Sequence, residues 1–331
     1  MPSKDYRILC TKIGITVLIN TLLLQTLSSV VDIACRAAEG SIRNFAVLYG
    51  INADDYYYAF TESAMLFTYL ASFLIPAFIF MLMTVKSGRE PMRLGVRIFP
   101  NAPAVILSAM GVIVLFAYIN SIMVSFIDFS AVFEDDPLDS PIKILLAFIS
   151  IAIVPALAEE FLFRGCVLSN LLPYGKTGAI VFSALLFSLM HGNFAQFLYT
   201  FAAGLVLGIV YVETGSIWTP TFIHLFNNFY SLIQQIIYER FGETQRIGMI
   251  LTAVDFTLIA LGAALGGWLL YYRKKKGARE GFAEPTKKVE IDKKEAKRGF
   301  FRPIVIVHIV ISVLLALMIV GLALIYPYLT L

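Results

Sequence analysis

The chain has 331 residues, 59% of them hydrophobic and only 15% charged, with a mean hydropathy of +0.79. Soluble domains carry about 25% charged residues, so the composition excludes an ordinary soluble enzyme and points to an all-α, polytopic transmembrane helical bundle of about eight or nine spans. A net charge of +3 is too small to imply a nucleic-acid partner, and three cysteines in no metal-type spacing exclude a disulfide framework.

In chain order, the basic N-terminus MPSKDYRILCTK leads into a long apolar run with no small-residue cleavage site after it. It reads as a retained span rather than a signal peptide. Nine apolar stretches follow the length rule for about 30 Å of hydrocarbon: 8–34, 60–85, 102–127, 142–170, 178–191, 194–212, 217–237, 249–272 and 303–329. The fifth is short and runs into His191-Gly192-Asn193. Between them, KSGREPMRLGVR (86–97) holds four Lys/Arg and one acid, FEDDPLD (133–139) is acidic, and 273–302 holds twelve Lys/Arg. The positive-inside rule places the two basic segments and the N-terminus in the cytoplasm and the acidic one outside, which nine alternating spans satisfy. The 273–302 segment reads as a solvated, flexible connector with basic ends facing anionic lipid. The expected division is N-terminal spans with a basic loop over 1–101, a central helical core over 102–240, and C-terminal spans over 241–331.

The fourth span contains AEEFLFRG (158–165), with Glu159, Glu160 and Arg164 inside an apolar run. Each such group costs about 2.5–3.5 kcal/mol at a bilayer centre, so intramembrane ionisable residues are functional candidates. Glu160 and Arg164 are four apart with the acid first, the favourable order for a helical ion pair. Glu159 is rotated away and left facing a polar cavity, where burial suits a general base working near neutral pH. The alternative is a packing clamp with no chemistry. Phe187 and His191, in FSLMH, share a helical face, as do His224 and Asn228, in HLFNN. Asn227 is off that face, and His308 has no polar neighbour in sequence and reads as packing.

A carboxylate with an imidazole can deprotonate water, and a second imidazole with an amide N–H can stabilise a tetrahedral oxyanion. The same Glu159, His191 and His224 could hold Zn²⁺ with an open position, and the residues alone do not separate the two. HExxH and GxSxG are absent, and Asp32, Asp128 and Asp255 are isolated, which sets aside a standard zincin, a serine-hydrolase elbow and an aspartyl dyad.

EEFLFR, FSLMH and HLFNN match EExxxR, FxxxH and HxxxN in order, and the chain resembles the CPBP family of CAAX proteases and bacteriocin-processing (Abi) enzymes over residues 142–237. RLGVR (93–97) is weakly similar to a further family feature. The resemblance implies an intramembrane endopeptidase whose conical cavity opens to the cytoplasmic side. It also implies that Glu159 activates water with His191, that His224 and Asn228 stabilise the oxyanion, and that Glu160 and Arg164 support the site. The family is described both as metalloprotease and as metal-free, so Zn²⁺ stays open. The implied partners are the bilayer and a peptide or membrane-protein substrate, in a bacterial plasma membrane with a cytoplasmic N-terminus.

Two other classes compete: a non-catalytic immunity or scaffold protein, and a proton-coupled transporter relaying through Glu159. Transporters usually show repeated halves, and no second copy of the motif set occurs. The Gly204–Gly208 pattern reads as close helix packing within the fold rather than a dimer face.

Overall fold

The computed structural model describes residues 2–85, 92, 94–95, 101–126, 137–276 and 289–329. These contain ten helices and no strand: α1 (Pro2–Leu48), α2 (Ala53–Thr84), α3 (Ala102–Val124), α4 (Pro141–Tyr174), α5 (Lys176–Met190), α6 (Phe194–Thr214), α7 (Trp218–Phe241), α8 (Gln245–Lys276), α9 (Lys293–Phe300) and α10 (Pro303–Leu329). Seven of them, all but α5, α7 and α9, are long and apolar enough to cross a membrane by length and composition. Helix α5 has only 15 residues, and α7, at 24, is long enough but too polar. These two exceptions lead to His191 and carry His224, while Glu159, Glu160 and Arg164 lie on the span-length α4.

The first two helices outrun their expected spans. At 1.5 Å per residue, the 47 residues of α1 extend about 70 Å, more than twice the hydrocarbon thickness. Asp32 pairs with Arg36 at 2.9 Å, and Glu39 pairs with Arg43 at 2.7 Å. These i,i+4 pairs sustain a helix in water where hydropathy has already fallen. Gly50, at φ +66°, turns the chain so that α2 returns antiparallel along α1. Asn20 donates to the Ser72 carbonyl at 2.9 Å and Lys12 to that of Met83 at 2.5 Å along this hairpin.

Contacts at the helix ends sort the connections into two sides. Lys12–Met83, Arg7–Glu295 and the Trp218 indole on the Leu94 carbonyl gather the N-terminus, the end of α2, the start of α7 and α9 at one end. Ser140–Asp55 and the Leu138 amide on Glu239 lie at the other. The two basic segments thus reach the same end of the bundle. Most of 86–97, including Arg93 and Val96–Arg97 of RLGVR, and residues 133–136 of the acidic loop lie outside the described residues.

The connector reading of 273–302 is corrected in part. Residues 277–288 lie outside the described residues, but 293–300 form α9, docked on the bundle. Asp292 accepts from the Glu295 amide at 2.7 Å in a D-x-x-E start. Gly299 packs so tightly on Tyr6 that a Cβ there would sit 2.1 Å from the ring, and the Phe300 and Phe182 rings meet at 4.9 Å. The charge run hides an amphipathic turn whose small and aromatic residues find an apolar seat.

Helix α4 lies at the centre, against α2, α5 and α7. It is not a uniform α-helix: Phe148–Ile153 and Phe161–Leu168 are π-helical, flanking Val154–Glu160. Pro155 has no N–H to donate, so the Ile151 carbonyl four residues earlier loses its α-helical partner. Wider π turns recur where a helix absorbs such a defect at a functional site. On α6, a Cβ at Gly204 would come within 3.0 Å of Ala184, and one at Gly208 within 3.2 Å of Ile180. Both glycines therefore serve α6–α5 packing inside the fold.

Candidate active site

Glu159 and Glu160 end the short α-helical segment between the two π turns, and both are buried, at 4% and 0% exposure. Glu160 Oε1 takes the Arg164 guanidinium at 2.8 Å, so the i,i+4 pair forms although Arg164 itself lies in a π turn. Arg164 also donates to the Gly204 carbonyl at 3.3 Å and lies over the Phe187 ring at 4.6 Å. The close approach of Gly204 to α5 brings that carbonyl within reach.

His224 comes from α7, 64 residues away. Its Nδ1 is 3.0 Å from the same Glu160 Oε1, and its Nε2 is 3.8 Å from Glu159 Oε2. Glu160, anchored by Arg164, therefore fixes the ring with Nδ1 toward itself and Nε2 toward Glu159. Tyr69, from α2, donates its hydroxyl to Glu159 Oε1. Glu159 Oε2 is buried and has no hydrogen-bond partner among the described residues. Two carboxylates, one guanidinium and one imidazole balance in charge when a single proton is held between Glu159 and His224.

His191, capping the end of α5, is half-buried, and its Nδ1 is 2.9 Å from the Phe187 carbonyl. The Phe187 ring meets both imidazoles edge-on, at 5.2 Å for His191 and 6.0 Å for His224. That one phenyl face thus borders both histidines and Arg164. Asn228 lies one turn beyond His224, and its amide donates at 3.0 Å to the Ile151 carbonyl, the group orphaned by Pro155. Its oxygen accepts from Asn227 at 3.2 Å, and Asn227 also donates to the Tyr199 hydroxyl. His308 is buried in α10 and takes part in none of these contacts.

Tyr69, Tyr199 and the carbonyl of Ile151 are site components that sequence reasoning did not single out, and Gly204 was singled out for packing alone. Only the proline of Ile151's helix left a signal, as an interruption four residues before Glu159. Tyr69 sits in an apolar stretch with nothing to mark it.

For Zn²⁺, the donor types suit: an unpartnered buried carboxylate oxygen and imidazole nitrogens. The placement does not yet make a ligand set, because no three His, Cys, Asp or Glu side chains among the described residues come together closely enough to hold an ion.

Residues 141–230 match the family model described as "Type II CAAX prenyl endopeptidase Rce1-like". This segment is similar to that family. It spans α4 through most of α7 and contains every residue of the three motifs. The chain is also 32% identical over 94 residues to the protein named "Putative membrane peptidase YdiL" from Bacillus subtilis (strain 168), an alignment covering 28% of this chain and 38% of that relative. No solved structure matches. The buried constellation of Glu159, Glu160 and His224 therefore stands within the Rce1-like segment of an all-helical protein with membrane-spanning helices.

Proposed function

We propose that the protein is an intramembrane endopeptidase that hydrolyses a peptide bond in a membrane-associated protein or peptide. Residues 102–240 are its catalytic core in a bundle of nine crossings, with the N-terminus in the cytoplasm of a bacterial cell. The observation that carries this reading is the unpartnered, buried Glu159 Oε2 facing His224 Nε2, within a segment similar to a peptidase family.

A water bridging Glu159 Oε2 and His224 Nε2 would complete both groups. Glu159 takes one proton from that water as its oxygen attacks the scissile carbonyl. The resulting tetrahedral oxyanion is met by N–H donors, His224 Nε2–H when the ring is protonated and the Asn228 amide. Glu159 then passes the proton to the leaving nitrogen, and the C–N bond breaks to give a carboxylic acid and an amine. Glu160 stabilises the imidazolium through Nδ1–H, as an orienting carboxylate does in a hydrolytic triad. Tyr69 holds the Glu159 carboxylate in place, and His191, which shares the Phe187 ring with His224, orients the incoming water or substrate on this reading. Were Zn²⁺ bound by Glu159, His191 and His224, it would polarise the same water, at the cost of drawing His191 inward.

The test is cleavage of a panel of fluorogenic lipidated peptides by protein in proteoliposomes, with metal content measured on the same preparation. Glu159→Gln should lower cleavage by about 10²–10⁴-fold with the protein still folded. Equal cleavage by Glu159→Gln and wild type would refute the glutamate's role. Stoichiometric zinc that His191→Ala removes would replace the metal-free version with the metal one.

A further inference from the structure

At the basic end of the bundle, Arg7, Lys297, Arg298, Phe301 and Arg302 line a cleft of about 550 Å³. It lies between the first turns of α1, the end of α9 and the turn into α10, far in the chain from every motif of the proposed active site. Four of these five lining side chains are cations and none is a carboxylate, and the neighbouring Glu295 lies 2.6 Å from Arg298 and 3.6 Å from Arg7. The lining is therefore strongly cationic.

The cleft is built rather than incidental. The D-x-x-E start and the Gly299–Tyr6 contact hold α9 in place. Arg302 is tied to the Thr11 hydroxyl at 2.9 Å. Guanidinium groups with fixed forks are the preferred partners of phosphate. Phe301, 59% exposed, stands at the mouth just where α10 enters its apolar run. Cations above an exposed ring, at the level where a helix passes into hydrocarbon, match a phosphate headgroup above its first acyl segment.

We infer that this cleft binds the phosphate headgroup of an anionic phospholipid and thereby clamps α9 to the membrane-facing ends of α1 and α10. A basic pocket between helices on the positive side of a membrane protein is where such lipids are recognised. The inference does not depend on the peptidase reading.

The test is native mass spectrometry of the delipidated full chain in detergent, titrated with phosphatidylglycerol or phosphatidylcholine, with and without excess inorganic phosphate. Phosphatidylglycerol should bind selectively and resist phosphate. Lys297 and Arg298 are both exposed, so Lys297→Gln with Arg298→Gln should leave the fold intact and weaken phosphatidylglycerol binding about thirtyfold. Lys274→Gln with Lys275→Gln, which removes the same charge from the same end of the bundle, should leave binding near wild type. Equal binding of the two lipids would overturn the inference. So would an equal loss in the two double variants, which would mean diffuse surface charge, or displacement by inorganic phosphate, which would mean a free-anion site.

Discussion

His224 and His308 are both buried in helices, at 7% and 0% exposure, but their surroundings differ. His224 has Glu160 at 3.0 Å and Glu159 at 3.8 Å, and the first of these is itself held by Arg164. Both ring nitrogens of His308 lack a hydrogen-bond partner, as does the hydroxyl of Ser312 one turn on. The burial that marks an intramembrane histidine as a candidate is thus not what makes it a site. The site is made where a second helix brings charge of the opposite sign and fixes the ring's direction.

That contrast can be tested most severely at its support. Arg164→Met leaves Glu160 buried with only His224 as counter-charge, and breaking a buried pair this way costs about 3–5 kcal/mol. The yield of folded protein and its thermal midpoint in detergent should fall sharply. An unchanged midpoint would mean that the pair does not hold the constellation together.

Next, His224→Gln keeps a hydrogen-bonding side chain but cannot present a charged N–H to the oxyanion, and cleavage should drop by about 10²–10³-fold. Retained activity with normal folding would remove His224 from the oxyanion's donors. Tyr69→Phe removes one hydrogen bond to a carboxylate, worth about 1.5–3 kcal/mol. Its expected signature is a fall of about tenfold or more in cleavage with an unchanged thermal midpoint, and no fall would make Tyr69 a bystander.

The smallest effect is expected at the other histidine. His308→Leu replaces an unpartnered polar group by an apolar one, a change that is often neutral or stabilising. Cleavage and thermal midpoint should stay near wild type. A loss of cleavage comparable to that of His224→Gln would place His308 in the reaction and erase the contrast.

Much of the architecture was legible because bilayer thickness imposes a length on apolar runs. All nine expected stretches coincide with helices, although α5 and α7 do not reach the length or apolarity of a crossing on their own. What hydropathy could not see is helix that continues in water. The charged far half of α1 is helical through i,i+4 ion pairs, and α9 is helical because its cap, glycine and phenylalanine find a docking seat.

Within the candidate site, the Glu160–Arg164 pair was readable because both partners lie on one helix, four residues apart. Asn228 was readable only as sharing a helical face with His224. Its bond to Ile151 was not, since that depends on a carbonyl freed by Pro155 on another helix. Tyr69 carried no signal at all, because its meaning comes only from α2 lying against α4.

By itself, then, the sequence determined that this is a helical membrane protein, which charged groups are buried in it, and which acid neutralises which base along α4. Helical periodicity and the cost of charge in hydrocarbon are local rules, and local rules act through sequence spacing. Only the tertiary structure decided that His224 bridges the two glutamates, that Tyr69 holds the first of them, and that a basic segment closes into a cleft. Those contacts join residues 64 to 291 positions apart, and no spacing along one helix encodes the packing that brings them together.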